Sequence, residues 1–297
     1  MKISAALSRE LSNLPKQATV MVIGEVDTGK STLLALLARW FRSQSQHVAI
    51  VDADIGQADI GPPGFVSYGF VEHDIESLQS VRRQDSYLVG STSPYNRGLN
   101  VVAGVQACVR DARCQGSDVT LVDTTGLVKG ISGIQLKCAK AEAIKPDLII
   151  ALNTPGIEPL TSCLKQLGFR VSRFLPIPGT RIRTAQERKH LRVSRWNSYL
   201  GGNPHKMEID PAEVKVLRWW GESRPVDTEQ VPNGTVVAIP DPNRPGFHIP
   251  CVWTVTEGEE AGSRLSLLVP EPPEVQPGVV WVSGYKLGLE GNTVVSA

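Results

Sequence analysis

The sequence predicts a doubly wound α/β domain with a mainly parallel sheet, followed by a small β-rich domain. Short apolar runs alternate with helical patterns from residue 18 to residue 176, which is typical of parallel strands covered by helices on both faces. A glycine-rich turn joins the first strand to the helix after it. From residue 205 the chain changes to short β-prone runs with many prolines, which indicates a second, all-β unit.

Composition excludes several classes of protein. A chain of 297 residues suggests roughly two domains. Its hydrophobic content of 41% and charged content of 21% are ordinary globular values and argue against wholesale disorder. Because the net charge is only +1, any polyanion must be bound by a local basic patch.

The cysteines and the apolar runs predict the cellular setting. Five cysteines without a C-x-x-C pair argue against a disulfide framework and against a zinc site. No window approaches the roughly 18 apolar residues of a membrane span, and the N-terminus has no sustained apolar core. We therefore expect a reduced, cytoplasmic protein that does not contact a membrane.

The first strand, residues 18 to 23, leads into a loop that predicts nucleotide binding. The loop reads Gly24-Glu25-Val26-Asp27-Thr28-Gly29-Lys30-Ser31 and matches G-x-x-x-x-G-K-[ST], the P-loop pattern. Glycines let the backbone N–H groups surround an anion, and the following helix adds the positive end of its dipole. Lys30 should reach the β- and γ-phosphates, and Ser31 should bind Mg²⁺. The predicted nucleotide-binding residues are Gly24, Glu25, Val26, Asp27, Thr28, Gly29, Lys30, Ser31 and Thr32.

The remaining elements of the α/β domain follow in order. Residues 1 to 17 predict a short amphipathic helix that packs on the sheet, and residues 47 to 54 predict a strand that ends in Asp52 and Asp54. Acids at the carboxyl end of a parallel strand lie where ligands bind. Rigid glycine- and proline-containing loops are predicted at 55 to 64 and 90 to 98. The predicted helices are 99 to 112, 133 to 144 and 158 to 167, and the predicted strands are 119 to 123, 147 to 152 and 170 to 175.

A basic segment follows the last of these strands. Its positive residues are Arg181, Arg183, Arg188, Lys189, Arg192 and Arg195, offset only by Glu187. Six cations against one acid on a helical pattern favour a phosphate-facing role over a solvated helix face. Trp196 and Tyr199 are interpreted as packing residues rather than base-stacking platforms. The predicted domains are an N-terminal helix (1–17), a P-loop domain (18–202) that includes this segment (180–199), and a β-rich domain (205–297), whose prolines we expect to protect its sheet edges.

Two acids compete for the second metal-binding role. Asp123 lies in Asp-Thr-Thr-Gly, which could be the D-x-x-G turn of a switch-type GTPase, whereas Asp54 lies in Asp-Ala-Asp-Ile-Gly-Gln. A common GTPase also needs an Asn-Lys-x-Asp guanine reader. The nearest candidate, Asn153-Thr154-Pro155-Gly156, lacks the lysine and the aspartate, which weakens the GTPase reading.

Five blocks, taken together and in order, resemble the polynucleotide 5′-hydroxyl kinases, a family that includes RNA kinases of pre-mRNA cleavage and of pre-ribosomal RNA processing. The blocks are residues 24 to 32, Asp52 to Gln57 with its Pro-Pro-Gly continuation, 90 to 94, 123 to 130, and 183 to 202, where the arginines match the family's lid spacing. They cover about residues 18 to 202. The resemblance implies an ATP-dependent kinase that phosphorylates the 5′-hydroxyl end of a nucleic acid, with RNA favoured and DNA as the second choice.

The resemblance also implies roles for matching residues. Lys30 and Ser31 would hold ATP and Mg²⁺, and Asp54 would accept the proton of the attacking hydroxyl near the metal. Gln57 would help to place the acceptor, and Thr125 with Gly126 would form the clasp on the nucleic-acid backbone. Arg183 and Arg188 on the lid would neutralise charge on the migrating phosphoryl group. The predicted catalytic residues are thus Lys30, Asp54, Arg183 and Arg188, and the predicted metal ligands are Ser31 and Asp54, with Asp52 behind them.

The residues leave some alternatives open. Asp54 could be only an outer Mg²⁺ contact, and Asp52 could be a water-mediated metal contact or a structural partner. Family members often carry a tryptophan after the clasp glycine, and this chain has Leu127 there. The other candidate functions are a switch-type GTPase or ATPase and an ATP-holding scaffold in RNA processing without transfer activity. The sequence does not identify protein partners.

Overall fold

The computed structural model describes residues 3–221, 224–256, 264–273 and 276–296. Within them, the six α-helices are α1 Ala5–Ser12, α2 Lys30–Ser43, α3 Gly98–Cys114, α4 Gly130–Ile144, α5 Glu158–Gln166 and α6 Ala185–Leu200. The strands of the first sheet are β1 Ala18–Ile23, β2 Val48–Ala53, β3 Phe65–Phe70, β4 Asp85–Leu88, β5 Val119–Thr124, β6 Leu148–Leu152 and β7 Val171–Phe174. The later strands are β8 His205–Glu208, β9 Lys215–Arg218, β10 Thr235–Pro240, β11 His248–Thr256, β12 Arg264–Val269, β13 Val279–Lys286, β14 Gly288–Glu290 and β15 Thr293–Val295.

The first sheet is mainly parallel, as predicted. Its strand order is β4-β3-β2-β5-β1-β6-β7. All pairs from β2 to β7 along this order are parallel, whereas β3 and β4 add an antiparallel edge. The sequence did not predict this edge. The predicted α/β fold class is confirmed.

Helices cover both faces of the sheet. Because side chains alternate along a strand, Met21 and Ile23 of β1 face one core and Val20 and Val22 face the other. Helices α3, α4 and α5 contribute to the first core, and α1 and α2 contribute to the second. Two fully buried layers explain why every residue of β1, β2, β5 and β6 is buried.

The strand order places the site. In the centre of the sheet, β1 lies between β5 and β6, and β2 lies on the other side of β5. The carboxyl ends of these parallel strands share one edge, and ligands bind at that edge in open α/β sheets. Since Asp52 of β2 is in register with Asp123 of β5, two carboxyl groups meet there.

The C-terminal domain is a six-stranded sheet with the order β8-β12-β11-β10-β13-β9, and β14 pairs with β15 separately. One of its faces buries residues such as Trp253 and Leu267 in a core of its own. The other face, which includes Val236 and Val252, packs against Trp196 of α6 and Phe65 of β3. The second sheet is therefore joined to the first domain by an apolar interface.

A proline lies against one edge of this sheet, as expected: Pro225 forms an isolated antiparallel bridge with Leu217 of the edge strand β9. Edge strands β8 and β9 contain no proline, whereas Pro240 and Pro250 lie in the neighbouring inner strands β10 and β11. Each proline lies at the limit of a paired stretch: Pro240 ends β10, and β12 ends at Val269, before the position opposite Pro250. A strand tolerates proline best where the hydrogen-bond ladder ends.

A polar contact also joins the two domains. The guanidinium of Arg244, in the loop after β10, bonds to Asp85 at 3.1 Å and to Asp111 of α3, and it donates to the Tyr68 hydroxyl at 3.1 Å. No helix in the described parts of the chain is long and apolar enough to cross a membrane.

Candidate active site at the carboxyl edge of the parallel sheet

The P-loop connects β1 to α2 with the backbone geometry that the motif requires. Gly29, the N-cap of α2, has φ of 89°, which favours glycine. A Cβ atom at Gly29 would lie 2.6 Å from Cβ of Ile177, and one at Gly24 would lie 2.7 Å from Oγ1 of Thr28. Neither glycine has room for a side chain, so both are fixed by the local packing.

A cleft of about 410 Å³ opens above the P-loop. Six of the nine predicted nucleotide-binding residues line it: Val26, Asp27, Gly29, Lys30, Ser31 and Thr32. Its other walls come from the loop after β2, from residues 76–79 and from residues 177–183. The P-loop and the start of the predicted lid thus enclose one polar space.

Three predicted nucleotide-binding residues are joined by hydrogen bonds within the loop. The carbonyl oxygen of Glu25 accepts hydrogen bonds from the Lys30 ammonium and from the Thr28 hydroxyl, each at 2.8 Å. The Glu25 carboxylate accepts from Thr154 at 2.5 Å and pairs with Lys129 at 2.8 Å. The hydrogen bond from Lys129 is the main cause that lowers the pKa of Glu25.

The two acids after β2 have different surroundings. Asp54 lines the cleft, and its Oδ1 accepts from the backbone N–H groups of Gly56 and Gln57, each at 3.2 Å. Asp52 is 1% exposed, and its carboxylate accepts three backbone N–H bonds: from Asp54 at 3.0 Å, Asp59 at 2.6 Å and Ile60 at 2.9 Å. Asp52 therefore fixes the loop that presents Asp54, which favours its structural interpretation.

Asp123 is the acid that the structure brings to Ser31. The Ser31 hydroxyl donates to Oδ2 of Asp123 at 2.7 Å, and Oδ1 accepts from the backbone N–H of Thr124 at 2.7 Å. Asp123 was one of two candidates for the second metal-binding role in the sequence, but its pairing with Ser31 was not predicted. The signal that could have found it is its position at the end of the strand beside β2.

Burial of these acids raises their proton affinity. Burial raises the pKa of Asp52 well above its ordinary value, and the carboxyl group of Asp123 raises it further. Burial likewise raises the pKa of Asp123, while the Lys30 ammonium opposes the shift. Closely spaced carboxyl groups in a buried site favour a bound cation.

The predicted acceptor-binding residues flank the P-loop on two sides. Gln57 lines the cleft, and its Oε1 is buried without a hydrogen-bond partner in the described residues. Gly126 lies against the P-loop itself: a Cβ atom there would lie 2.7 Å from the backbone nitrogen of Val26. The clasp and the nucleotide loop are therefore in direct contact.

Two buried lysines of α4 lie behind the clasp, and the sequence analysis did not identify them. The ammonium of Lys137 donates to the carbonyl oxygen of Thr125 at 2.6 Å and to its hydroxyl at 2.9 Å. Lys140, one turn further along, has no hydrogen-bond partner among the described residues. Both side chains have 0% exposure, and burial lowers the pKa of Lys137 and brings that of Lys140 to about 8. In the sequence alone, two lysines three residues apart on a helix are typical of a solvent-exposed face, so their burial was not predicted.

Asp27 connects the P-loop to the lid. It adopts φ of 58°, and its Oδ2 accepts from the Arg188 guanidinium at 2.7 Å and from the backbone N–H of Arg183 at 3.0 Å. The Arg183 side chain is exposed and lines the cleft. Both predicted lid arginines are thus within reach of the loop that the sequence assigns to the nucleotide.

The second half of α6 is anchored. Arg195 pairs with Asp59 at 2.7 Å, Trp196 has 0% exposure, and the Tyr199 hydroxyl donates to the carbonyl oxygen of Pro250 at 3.0 Å. The packing role of Trp196 and Tyr199 is confirmed. The lid helix therefore has one end beside the cleft and the other within the domain interface.

This chain matches a family model over the part that contains the P-loop and α6, and it also matches two archaeal proteins. The family model described as "mRNA cleavage and polyadenylation factor CLP1 P-loop" matches residues 24–202. The polyribonucleotide 5′-hydroxyl-kinase of Pyrococcus horikoshii is 40% identical over 200 residues, which cover 65% of this chain and 52% of that protein. That of Thermococcus kodakarensis is 34% identical over 210 residues, which cover 71% and 59%. The chain thus spans little more than half the length of these curated relatives.

A solved structure extends the similarity in fold. The Clp1p chain of a Clp1p–Pcf11p complex matches with a TM-score of 0.75 at 13% identity, over 95% of this chain and 77% of that one. At this identity the match concerns the fold, and it spans more of the chain than the family model does.

Gly126→Ala should weaken nucleotide binding. The added methyl group would meet the backbone of Val26 at 2.7–2.8 Å, so the P-loop must move, and overpacking of this kind costs about 1–3 kcal/mol. Calorimetric titration with ATP should show affinity reduced on the order of tenfold. Gly278→Ala is the control, because nothing lies within 4 Å of the position of its Cβ. Unchanged affinity in Gly126→Ala would show that clasp and P-loop separate freely.

Lys140→Met should stabilise the protein near neutral pH. The folded state lowers the pKa of Lys140 from 10.5 to about 8, so between these values the unfolded state binds more protons. The penalty is therefore full below pH 8 and is relieved as the pH rises towards 10.5. Removing the buried ammonium should raise the free energy of unfolding by about 1–3 kcal/mol at neutral pH.

Denaturant titrations near neutral pH and at about pH 9.5 measure this effect. The gain from Lys140→Met should shrink at the higher pH, whereas Lys165→Met, at an exposed site on α5, should change little at either. If Lys140→Met lowered the free energy of unfolding by the same amount at both pH values, the ammonium of Lys140 would not be an unpaired buried charge.

Proposed function

The chain belongs to the CLP1 P-loop family, and from that premise we propose that it is an ATP-dependent polynucleotide 5′-hydroxyl kinase acting on RNA. The names of the archaeal relatives support this proposal. The single observation that carries it is the composition of the cleft, where P-loop residues, Asp54 and the lid residue Arg183 line one space. A phosphate donor, a proton acceptor and a charge-neutralising arginine are the parts that phosphoryl transfer requires.

The donor is ATP, bound at the P-loop. Backbone N–H groups between Gly24 and Ser31 surround its phosphates, and α2 adds the positive end of its dipole. Lys30, only 7% exposed, supplies the ammonium for the β- and γ-phosphates. Six of the predicted P-loop residues line the cleft, which supports this placement.

The oxygen donors suit Mg²⁺. A hydroxyl group (Ser31) and carboxylates (Asp54, Asp123) are the hard ligands that this ion prefers, and the raised pKa of the buried Asp123 fits a site completed by a cation. When bound, Mg²⁺ neutralises charge on the β- and γ-phosphates. Asp52, which holds the loop of Asp54, lies behind these ligands.

Transfer then proceeds as one displacement. The 5′-hydroxyl oxygen of the acceptor forms a bond to the γ-phosphorus, and the bond from this phosphorus to the bridging oxygen breaks, with its electron pair leaving on ADP. The carboxylate of Asp54 takes the proton of the hydroxyl. Arg183 from the cleft wall and Arg188 from its pair with Asp27 stabilise the charge on the migrating group.

The acceptor end is placed by the loops on either side. Gln57, whose buried side-chain oxygen has no hydrogen-bond partner among the described residues, faces the hydroxyl end of the strand. Thr125 and Gly126 bind the nucleic-acid backbone near this end. Lys137 holds Thr125 in position through two hydrogen bonds. Contact of Gly126 with the P-loop supports the proximity of donor and acceptor.

The direct test is incubation with γ-labelled ATP, Mg²⁺ and matched 5′-hydroxyl RNA and DNA oligonucleotides. Label on the oligonucleotide is the expected result, with RNA preferred. Label only as free phosphate would instead indicate a switch-type NTPase, and ATP binding without either product would indicate a scaffold.

Asp54→Asn should still bind ATP but transfer phosphate at least about 100-fold more slowly, because general base catalysis contributes that much. The amide keeps the shape of the side chain but cannot take the proton. Single-turnover transfer and ATP titration separate the two effects. Asp74→Asn changes an exposed aspartate and is the matched control. Full-rate transfer by Asp54→Asn would place the base elsewhere.

A further inference from the structure

A further groove lies beside the clasp and is bordered by Leu127, the residue after Gly126. It has a volume of about 530 Å³ and lies between the start of α3, the start of α4 and the C-terminal domain. The side chains important here are Tyr95, Arg97, Leu99, Leu127, Gln135 and Trp220. None of the roles described above uses this Tyr95–Trp220 groove.

The groove collects apolar side chains that a soluble fold normally buries. Leu99 is 74% exposed, Tyr95 60% and Trp220 50%. Single exposed apolar residues are ordinary, but several in one concave surface indicate a binding site. Two of the three, Tyr95 and Trp220, carry flat aromatic rings, which suit a planar ligand.

Trp220 is held in place although half of it is exposed. Its backbone has φ of 50°, a conformation that bulky residues rarely adopt. Its ring lies 6.3 Å from the ring of Trp219. An unusual backbone conformation that presents a fixed ring to solvent points to a function.

The groove continues from the segments that frame the proposed site. Leu127 directly follows Gly126, the clasp residue that touches the P-loop. On the opposite side, a Cβ atom at Gly56 would lie 2.7 Å from the carbonyl oxygen of Thr92. Tyr95 follows Thr92 by three residues. The groove thus borders the clasp at Leu127, and a base next to the 5′ end that the clasp holds would lie beside it.

The charges of the groove suit a nucleic acid. Arg97 is the single charged residue among the described residues that line it, and no carboxylate does so. Gln135 and Asn96 add groups that can bond to base edges. Aromatic rings with a cation beside them are the usual surface for unpaired bases, whereas a helix-binding groove needs no such polar groups.

We propose that the Tyr95–Trp220 groove stacks an unpaired nucleobase close to the 5′ end of the acceptor strand. The inference rests on the proposed kinase function. Trp220, from the C-terminal domain, supplies the stacking surface. The acceptor is accordingly single-stranded at its 5′ end, and the second domain contributes to substrate binding.

The test combines protein variants with abasic acceptors. A 5′-hydroxyl oligonucleotide with a 3′ fluorophore carries an abasic residue at each of its first few positions in turn, and binding is followed by anisotropy. For the wild type, one position should weaken binding on the order of tenfold, since base stacking on an aromatic ring has this size. Trp220→Ala should weaken binding of the intact strand equally and remove the effect of that abasic position.

Controls separate stacking from folding. Trp220→Phe should retain most of the affinity, Tyr95→Ala should lower it, and Leu167→Ala, at an exposed apolar site after α5, should not. Transfer assays should show a raised KM with an unchanged kcat for saturating acceptor. Thermal denaturation monitors the fold, and the Tyr95 variant keeps the test valid if Trp220→Ala unfolds.

The outcomes distinguish the two proposals. Phosphate transfer with no abasic-sensitive position, or with full affinity in both Trp220→Ala and Tyr95→Ala, would overturn the groove and leave the kinase intact; the groove would then suit a protein partner. Binding that depends on Trp220 and on one base, without transfer to any acceptor, would support the groove and overturn the kinase.

Discussion

The parallel pairing of β2 with β5 is the constraint on which the site depends. It sets Asp52 opposite Asp123 in the interior of the domain, where two carboxyl groups are unfavourable without partners. The chain supplies those partners locally. Backbone N–H groups of the following loop bind Asp52, and the Ser31 hydroxyl binds Asp123. The loop of Asp54 and the first turn of α2 are thereby fixed relative to each other.

Three further contacts hold the P-loop from outside the motif. Glu25 bonds to Thr154 after β6, Val26 packs on Gly126 after β5, and Asp27 bonds to the lid. Each contact uses one of the variable positions of the G-x-x-x-x-G-K-[ST] pattern. The motif glycines give the loop its shape, whereas these three residues set its position within the protein.

The sequence predicted the elements far better than the contacts between them. Local periodicity located the parallel strands and helices α3, α4 and α5 to within three residues, because each follows a regular apolar pattern. It missed β3 and β4, since Ser67, Gly69 and Ser86 interrupt their apolar pattern. It also missed the Ser31–Asp123 pairing and the buried Lys137, because both depend on contacts between residues far apart in the chain. The roles of Asp54, Arg183 and Arg188 remain predictions.

Helix α6, the predicted lid, extends from the P-loop to the interface between the two domains. Trp196 is embedded between the two domains, while Arg188 lies two turns earlier beside the P-loop. Residues 185 and 196 are separated by about 16 Å of helix, so a tilt of only about 10° around Trp196 shifts the start of α6 by about 3 Å. A displacement of that size would break a hydrogen bond at that end of the helix, because donor and acceptor must lie about 2.7–3.2 Å apart. Because Trp196 anchors α6 against the second sheet, the packing of that sheet sets the position of the arginines at the other end of the helix.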